Sequence, residues 1–212
     1  MKYTILIILL FNVSLSCISQ ETAVTKDGKK VLLYENGTWK YIQDVEGVKM
    51  PDSSLKKFSR PTASKTLLAS KRTDHAIWYD ATKWALSDMK VSDVNEYLFK
   101  LKNEDAYCMT VVEKIEIPID NFKNIVLKSL EMKGLESVEV LDEDFRMVNG
   151  QRVLQLQFTG SLQGMRFTYM GYYFSNESGT SQILCYTSAN LFKQYKAQFE
   201  NMLNGFTVQL TK

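Results

Sequence analysis

The run RFTYMGYYFSN at 166–176 constrains the fold most strongly, because it is a predicted strand with large apolar residues on both faces. Successive side chains of a strand point to opposite sides of the sheet. The alternation divides its apolar residues into two sets: Phe167, Tyr169 and Tyr173 on one face, and Met170, Tyr172 and Phe174 on the other. A sheet of this kind needs a cover on both sides. Helices on both sides would supply it; a ligand groove or partner surface involving Tyr169, Tyr172 and Tyr173 is the alternative.

Further strands are predicted on either side of this run. They are HAIWYD, NEYLFKLK, AYCMTVVEKIEI, SVEVLDEDFRMV, QRVLQLQFTG and TSQILCYTS. The dipeptide Asn149-Gly150 separates two of them and is typical of a two-residue hairpin turn, since a type I′ turn needs positive φ at both central residues. In QRVLQLQFTG, apolar residues alternate with Gln155 and Gln157, which predicts one face in the core and one face in water.

Two helices are predicted between these strands. Asp80 is placed to cap a short helix around Trp84. Pro118 stops the sheet, Asp120 is placed to cap a longer helix, and Gly134 occupies the position that follows a helix end.

The last helix has the clearest pattern in the chain. Ser188 or Asn190 is placed to cap it, and Gly205 follows its end. Its apolar residues recur at helical spacing and form one stripe: Leu191, Phe192, Tyr195, Phe199, Met202 and Leu203. Residues 74–212 therefore read as one α+β domain.

Residues 20–43 predict a small three-stranded β-meander, because Asp27-Gly28 and Asn36-Gly37 are both hairpin dipeptides. Two-residue turns at these positions place four large residues on one face together with Ala23: Leu32, Tyr34, Trp39 and Tyr41. This face is a candidate binding surface. A sheet this small has almost no core of its own, so its own main domain, a second copy or another envelope component would cover it.

Residues 44–73 predict a basic linker between the meander and the domain. Proline occurs at 51 and 61, and the stretch 53–73 contains six basic residues and no acidic one. A solvated spacer is the expected role, and contact with an anionic lipid surface is the alternative.

Residues 1–19 predict a signal peptide. Lys2 supplies the positive charge, and the apolar run at 3–11 is too short to span a membrane. Cleavage after Ser19 would start the mature chain at Gln20. Alternatively, Cys17 is the acylated cysteine of a lipoprotein, or the segment stays as an anchor. The mature protein is expected to be extracytoplasmic, periplasmic or secreted, with no transmembrane span.

Two cysteines remain after Cys17, and both fall in predicted strands. In an oxidising compartment Cys108 and Cys185 permit one disulfide. Two buried thiols in one sheet are the competing interpretation.

A search for catalytic chemistry finds little. His75 is the only histidine, so any Ser-His-Asp arrangement must use it. It follows Asp74, and local charge pairing or solvation is the expected role. One histidine without a cysteine cluster excludes the usual zinc sets, and no glycine pattern for a nucleotide loop occurs. The net charge of +2 gives no indication of nucleic acid. We therefore expect no cofactor, no metal and no enzymatic activity.

The order of these elements resembles the PsbP-like α/β/α sandwich family over about residues 74–210. The resemblance rests on AIWYDATKW, IPIDNF, VNGQRVLQL, the aromatic strand and the ending SANLFKQYKAQFENMLNGF. It implies an antiparallel sheet flanked by helices, and no functional residue is carried over. The segment DGKKVLLYENGTWKY is similar to a short "dGtW" segment at the start of many secreted Bacteroidetes proteins.

The expected function is therefore that of a non-enzymatic extracytoplasmic protein that binds another envelope protein or a small ligand. Two alternatives remain: a lipid-anchored structural or assembly subunit of an envelope complex, and an enzyme whose site the sequence does not reveal.

Overall fold

The computed structural model describes residues 21–24, 30–33, 39–41, 54–88 and 94–209. The chain divides into two compact units, Met1–Lys49 and Met50–Lys212. The first contains a small sheet, and the second contains the main α+β fold. No helix of the described residues is long and apolar enough to cross a membrane.

Fourteen strands and two α-helices make up the described secondary structure. The strands are β1 (Glu21–Val24), β2 (Lys30–Leu33), β3 (Trp39–Tyr41), β4 (Lys56–Phe58), β5 (Thr66–Ala69), β6 (His75–Tyr79), β7 (Trp84–Ser87), β8 (Asn95–Leu101), β9 (Ala106–Glu113), β10 (Glu136–Val148), β11 (Gln151–Leu162), β12 (Met165–Asn176), β13 (Gly179–Ser188) and β14 (Phe206–Val208). The helices are α1 (Phe122–Met132) and α2 (Phe192–Leu203), and a short 3₁₀ turn (Ile119–Asn121) precedes α1.

The main unit is built on one eight-stranded sheet in the order β4-β10-β11-β12-β13-β9-β8-β7. Every neighbouring pair is antiparallel except β4 and β10, which are parallel. A second, three-stranded antiparallel sheet has the order β14-β6-β5. The α+β fold class with a largely antiparallel sheet and accompanying helices is therefore confirmed.

The central strand β12 contributes to two hydrophobic cores, as its double apolar alternation predicts. Tyr172 lies in the core that includes α2, β6 and β14, which we name the α2 core. Tyr169 and Tyr173 lie in the core that includes α1, which we name the α1 core. At Gly171, a Cβ would come within 2.9 Å of Leu184 and 3.0 Å of the Ile183 carbonyl oxygen. Only glycine leaves room there for the neighbouring strand.

The prediction of a linker over 44–73 is wrong for the part that the structure describes. β4 pairs with β10 through Lys56, Lys57 and Phe58, and β5 pairs with β6. Leu55 is buried, and the guanidinium of Arg60 lies 4.2 Å from the centre of the Trp78 ring. The segment carries few apolar residues between many basic ones, so its composition resembles a spacer although its backbone completes both sheets.

The register of the small sheet also differs from the prediction. Leu33 pairs with Trp39, Leu32 with Lys40, and Val31 with Tyr41. Five residues separate β2 from β3, and an odd loop length is incompatible with the two-residue turn that the prediction assumed. The predicted backbone pairing of Leu32 with Tyr41 is therefore wrong. Tyr34 lies outside the described residues.

Two further local predictions are wrong. The segment around Trp84 is strand β7, paired with β8, and not a helix capped by Asp80. Gln155 has a fully buried side chain and does not face water. Its face of β11 is covered, because both faces of this sheet carry a core.

The helix starts differ from the predicted caps, whereas one predicted helix end is confirmed. α1 begins after Asn121 and α2 after Leu191, and neither residue makes a side-chain capping bond. Asn121 already has helical backbone angles, and leucine has no polar side-chain atom. At the end of α1, Gly134 has φ +85°, and Leu135 N–H donates to the Leu130 carbonyl at 3.0 Å. This is the predicted glycine C-terminus.

Candidate functional site

Within the main unit, a cleft lies between the three-stranded sheet β14-β6-β5 and the eight-stranded sheet, and we name it the His75 cleft. The space that a water molecule can enter is about 20 Å³, within about 280 Å³ of empty space that includes open solvent. Its wall is largely apolar, with a few polar side chains: Ser70, His75, Glu96, Thr110 and Ser181. Mostly apolar walls with a few placed polar groups are typical of small-molecule sites.

His75 is the first residue of β6 and is almost completely buried, at 2% exposure. Its Nδ1 lies 2.5 Å from Ser181 Oγ on β13. Its Nε2 lies 3.0 Å from Asn176 Oδ1 and 3.2 Å from Asp74 Oδ1. Both ring nitrogens therefore have partners. The imidazole connects strand β6 of the three-stranded sheet to strands β12 and β13 of the eight-stranded sheet.

A second layer of hydrogen bonds holds these partners in place. The Asn176 amide donates to both carboxylate oxygens of Asp74, at 3.2 and 3.1 Å. The Ser178 hydroxyl contacts Asp74 Oδ1 and lies 2.8 Å from Asn176 Oδ1. The sequence predicted local charge pairing or solvation for His75; the ring does lie beside Asp74, but it is buried and therefore not solvated. Asn176, Ser178 and Ser181, more than a hundred residues further along the chain, complete the cluster.

Burial lowers the pKa of His75 below its ordinary value of 6.5. The hydrogen bond to Asn176 and the negative charges of Asp74 and Glu96 oppose this effect without reversing it. At neutral pH the ring is therefore uncharged. A neutral ring donates from one nitrogen and accepts at the other, which suits a hydroxyl on one side and oxygen acceptors on the other.

We expect the protein to lose stability as the pH falls below about 6.5. In that range the unfolded chain takes up a proton on His75 while the folded chain does not, so the free energy of unfolding falls by at most about 1.4 kcal/mol per pH unit. Urea unfolding at pH 7.5 and 5.5, with His75→Gln for comparison, measures the effect. His75 is the only histidine, so the slope should disappear in the variant, and equal slopes would contradict the assignment.

Ser181, His75 and Asp74 have the composition of a Ser-His-Asp triad, but the surroundings differ from those of a nucleophile. Ser181 is only 4% exposed and lies inside β13, paired with Phe174 on one side and Val112 on the other. Neighbouring backbone amides therefore serve the sheet and do not point at a developing oxyanion. The arrangement therefore favours a structural role for a neutral His75 ring over activation of Ser181 as a nucleophile.

Of the described polar side chains that line the cleft, Glu96 alone has a buried atom without a hydrogen-bond partner. Its Oε1 accepts a hydrogen bond from Lys71 N–H at 2.6 Å. Its Oε2 is buried and has no hydrogen-bond partner among the residues that the structure describes. Sequence reasoning missed this residue, because a single acid inside the predicted strand NEYLFKLK gives no signal.

The predicted binding residues on β12 do not form one surface. Tyr169, Tyr172 and Tyr173 are 8%, 1% and 1% exposed, and Tyr172 lies on the opposite face from the other two. Burial raises the pKa of the Tyr173 hydroxyl well above its ordinary value. These residues are placed for packing and not for contact with a ligand at the surface.

Tyr169 belongs to a stacked row of rings that crosses the sheet. Phe158 and Tyr169 have centroids 4.9 Å apart, Tyr169 and Tyr186 are 5.8 Å apart, and Tyr186 and Tyr107 are 5.4 Å apart. Lys100 Nζ lies 5.6 Å from the Tyr107 ring centre at the end of the row. The ring faces contact one another, so the row stabilises the sheet.

Of the other predicted sites, the side chains of Leu32, Trp39 and Tyr41 lie outside the described parts, as do Tyr34 and the lipidation candidate Cys17. Cys108 and Cys185 are both buried and free, and they pair directly across β9 and β13. Buried thiols are thus the interpretation that agrees with the structure. No group of three or more metal-ligating side chains occurs within the described residues.

We expect Cys108 and Cys185 to resist alkylation in the folded protein. Both are 0% exposed, and burial raises the pKa of the Cys185 thiol, with a further contribution from Cys108. Iodoacetamide at pH 8 followed by mass spectrometry should modify neither cysteine before unfolding and both in urea. Failure to label in urea without a reductant would indicate a disulfide instead.

No family model matches the chain, and no curated protein matches it in sequence. Among solved structures, it is similar to the cyanobacterial PsbP (CyanoP) of Synechocystis, with 16% identity, a TM-score of 0.49, and coverage of 70% of this chain and 94% of that chain.

Two other solved structures are similar at lower identity or TM-score. The Ran-binding protein Mog1p of Saccharomyces cerevisiae has 9% identity and a TM-score of 0.47, with 68% of this chain and 94% of that chain covered. LpqN of Mycobacterium tuberculosis, involved in cell envelope biogenesis, has 13% identity and a TM-score of 0.35, with 72% and 82% covered. At these identities and TM-scores, the similarities assign neither a family nor a function to the chain.

Proposed function

We propose that this chain is an extracytoplasmic binding protein and that it binds a small ligand in the His75 cleft. The location is supported by the N-terminal segment, with Lys2, the apolar run at 3–11 and the small residues before position 20. Attachment to a membrane through Cys17 is compatible with the same role and would be a second localisation signal.

The unpartnered Oε2 of Glu96 is the observation that carries the proposal. A buried acceptor without a donor is costly, and more so when it is charged. A ligand with an ammonium or other N–H donor would satisfy this oxygen by a charge-assisted hydrogen bond. The apolar wall around it, including Leu68, Ile77 and Ile183, would contact an apolar body. The ligand class is therefore a small organic cation with an apolar part.

Binding without catalysis fits the remaining groups of the cleft. His75 is held between Ser181, Asn176 and Asp74, so its nitrogens are engaged by the protein. Thr110 Oγ1 accepts the Tyr97 N–H at 3.1 Å. Among the described residues that line the cleft, only Glu96 has a buried oxygen without a hydrogen-bond partner, which suits recognition of one head group.

We expect n-propylammonium to bind the mature chain and n-propanol to bind at least about tenfold more weakly, since a hydrogen bond to a charged group is worth about 1.5–3 kcal/mol. Isothermal titration calorimetry measures both. Glu96→Gln should lose the preference for the ammonium ion.

Glu131→Gln is the matched control, since Glu131 is an exposed residue of α1 and the substitution makes the same charge change. It should bind as the unmodified chain does. Equal ammonium binding in Glu96→Gln, or no saturable binding to the unmodified chain, would contradict the proposal.

A further inference from the structure

Strand β5 is the outer strand of the sheet β14-β6-β5, and no strand of the described residues pairs with its free side. We name this free side the β5 edge. Thr66 and Leu67 of the strand are exposed, Leu67 at 37%. The backbone groups of an edge strand can pair with a strand from another chain. The β5 edge is therefore a position at which an extended segment can dock.

The ladder between β5 and β6 determines which backbone groups point to this edge. Ser70 N–H donates to the His75 carbonyl at 2.8 Å, so residue 70 occupies a hydrogen-bonded position. Such positions alternate with non-hydrogen-bonded ones along antiparallel strands, which places Leu67 at a non-hydrogen-bonded position opposite Trp78. Trp78 agrees with this, because its N–H donates away from β5, to the Gly205 carbonyl at 2.8 Å. Leu67 thus directs both its N–H and its C=O to the β5 edge.

Ala69 supports the same assignment. It lies two residues after Leu67 and therefore also directs its C=O to the free side. That carbonyl accepts a hydrogen bond from the Tyr97 hydroxyl at 2.8 Å. The protein itself thus uses one outward group of β5, and Leu67 is the residue at which an added strand would exchange a pair of hydrogen bonds.

The outer face of the sheet beside this edge is apolar. Leu67 pairs directly with Trp78, so the two side chains share one face. It is the face turned away from the α2 core, because Leu68 and Ile77 belong to that core. The guanidinium of Arg60 lies 4.2 Å from the centre of the Trp78 ring and adds a positive charge. An apolar side chain of an added strand would contact Leu67 on this face.

The surroundings of the β5 edge are basic. Lys65 precedes the strand and Lys71 follows it, and both are exposed. Residues 54–73 contain no acidic residue. Two carboxylates lie near the ends of the strand, but both are engaged: Asp80 accepts hydrogen bonds within its own turn, and Glu96 accepts the Lys71 N–H. The charge of the edge therefore favours an acidic occupant.

We infer that the β5 edge binds an extended acidic segment of a partner protein as an added strand. An apolar residue of the segment lies opposite Leu67, and acidic residues lie two positions to either side, because every second residue of a strand shares a face. Lys65 shares the face of Leu67 for the same reason and attracts one of these acids. Backbone pairing supplies affinity, and charge selects the partner. This surface is separate from the His75 cleft, which Leu67 does not line.

Titration of the ¹⁵N-labelled mature chain with the blocked peptide Glu-Thr-Val-Thr-Glu, followed by NMR, tests the inference. The backbone amide resonances of Leu67 and Ala69 should shift saturably. The peptide Lys-Thr-Val-Thr-Lys should bind at least about fivefold more weakly, since its charges replace an exposed attraction by a repulsion. The absence of saturable shifts with the acidic peptide, or equal affinity for the two peptides, would overturn the inference.

Two N-methylated forms of the acidic peptide test the backbone pairing itself. Alternate N–H groups of a paired strand point to opposite sides. One form is methylated at the first, third and fifth amides and the other at the second and fourth. Methylation of one set should abolish the shifts, and methylation of the other set should not. Equal effects of the two sets would show contact without strand addition and would overturn the inference.

Variants of the protein provide the matched controls. Leu67→Pro removes the outward N–H without removing a bond to β6, so it should abolish peptide binding in a folded protein. Lys65→Glu should weaken binding of the acidic peptide about fivefold, whereas Lys128→Glu, at an exposed position of α1, should not change it. Full affinity in Leu67→Pro or in Lys65→Glu would overturn the inference. Thermal unfolding checks that each variant is folded.

Glu96→Gln separates this inference from ligand binding in the His75 cleft. The variant should bind the acidic peptide as the unmodified chain does, because an amide oxygen still accepts the Lys71 N–H. A failure of the ammonium experiment therefore leaves the peptide experiment interpretable, and the reverse also holds.

Other occupants of the β5 edge have distinct signatures. Residues 136–145 of β10 contain five acidic residues and no basic one, so a second copy could supply an acidic strand. Shifts of Leu67 that depend on protein concentration without peptide would assign the edge to a second copy and overturn the inference. Shifts with phosphatidylglycerol vesicles but not with the acidic peptide would overturn it in favour of a lipid surface.

Discussion

Gly205→Ala is expected to lower the free energy of unfolding by about 3 kcal/mol or more. A Cβ at this position would lie 1.8 Å from the Trp78 carbonyl oxygen, which is a backbone atom that a side-chain rotation cannot move. The strands would have to separate, and the hydrogen bond from Trp78 N–H to the Gly205 carbonyl, at 2.8 Å, would be lost. Urea unfolding followed by circular dichroism measures the change.

Gly134→Ala is the matched control for this effect. Gly134 also follows a helix, but a Cβ there would meet nothing within 4 Å, and only its φ of +85° opposes the substitution. We expect a loss of about 1 kcal/mol. Similar losses in the two variants would show that backbone conformation, and not the close approach of Trp78, is the reason for glycine at 205.

A chain that begins at residue 74 is expected not to fold cooperatively. The deletion removes β4 and β5, with the buried Leu55 and the partly buried Phe58 and Leu68 of the α2 core. It leaves β6 without one of its neighbours and exposes the edge of β10. Loss of the buried Leu55 costs about 2–5 kcal/mol, and the lost contacts of Phe58 and Leu68 and the two lost strand pairings add to it. The total is comparable with the usual stability of a domain, about 5–15 kcal/mol.

A chain that begins at residue 50 is the control, since it retains the whole of the main unit. It should show one cooperative thermal transition with native near-ultraviolet circular dichroism. The shorter chain should show neither. A cooperative transition in the shorter chain would contradict the assignment of 54–73 to the fold and support the spacer that the sequence predicted.

Strands were predictable where a short pattern decides the structure. The alternation around Tyr172 assigned both faces of β12, because side chains of a strand alternate whatever packs against them. Gly134 and the turn at Asn149-Gly150, with φ values of +50° and +84°, were predictable for a similar local reason.

Predictions failed where pairing with a distant part of the chain decides the local structure. The segment around Trp84 pairs with β8, and 54–73 completes two sheet edges, so tertiary pairing overrode local composition. In the sheet of β1, β2 and β3, one residue of difference in loop length changed the register, so that Leu32 pairs with Lys40 and not with Tyr41.

Of the contacts in the candidate site, only the one between His75 and Asp74 was predictable from the sequence. The single histidine beside Asp74 indicated a local pair, but Ser181, Asn176 and Glu96 join it from three other strands or strand ends. None of them carries a sequence signal, because serine, asparagine and glutamate are ordinary in strands and turns when their partners are unknown.

By itself the sequence determined the α+β class and the two-sided apolar strand, since both depend on neighbours in the chain. The tertiary structure alone decided that 54–73 belongs to the fold, that Gly205 must approach Trp78, and that Glu96 and Gln198 keep buried oxygens without partners. Burial and hydrogen-bond satisfaction are properties of groups far apart in sequence, so they exist only once the sheets and α2 have packed.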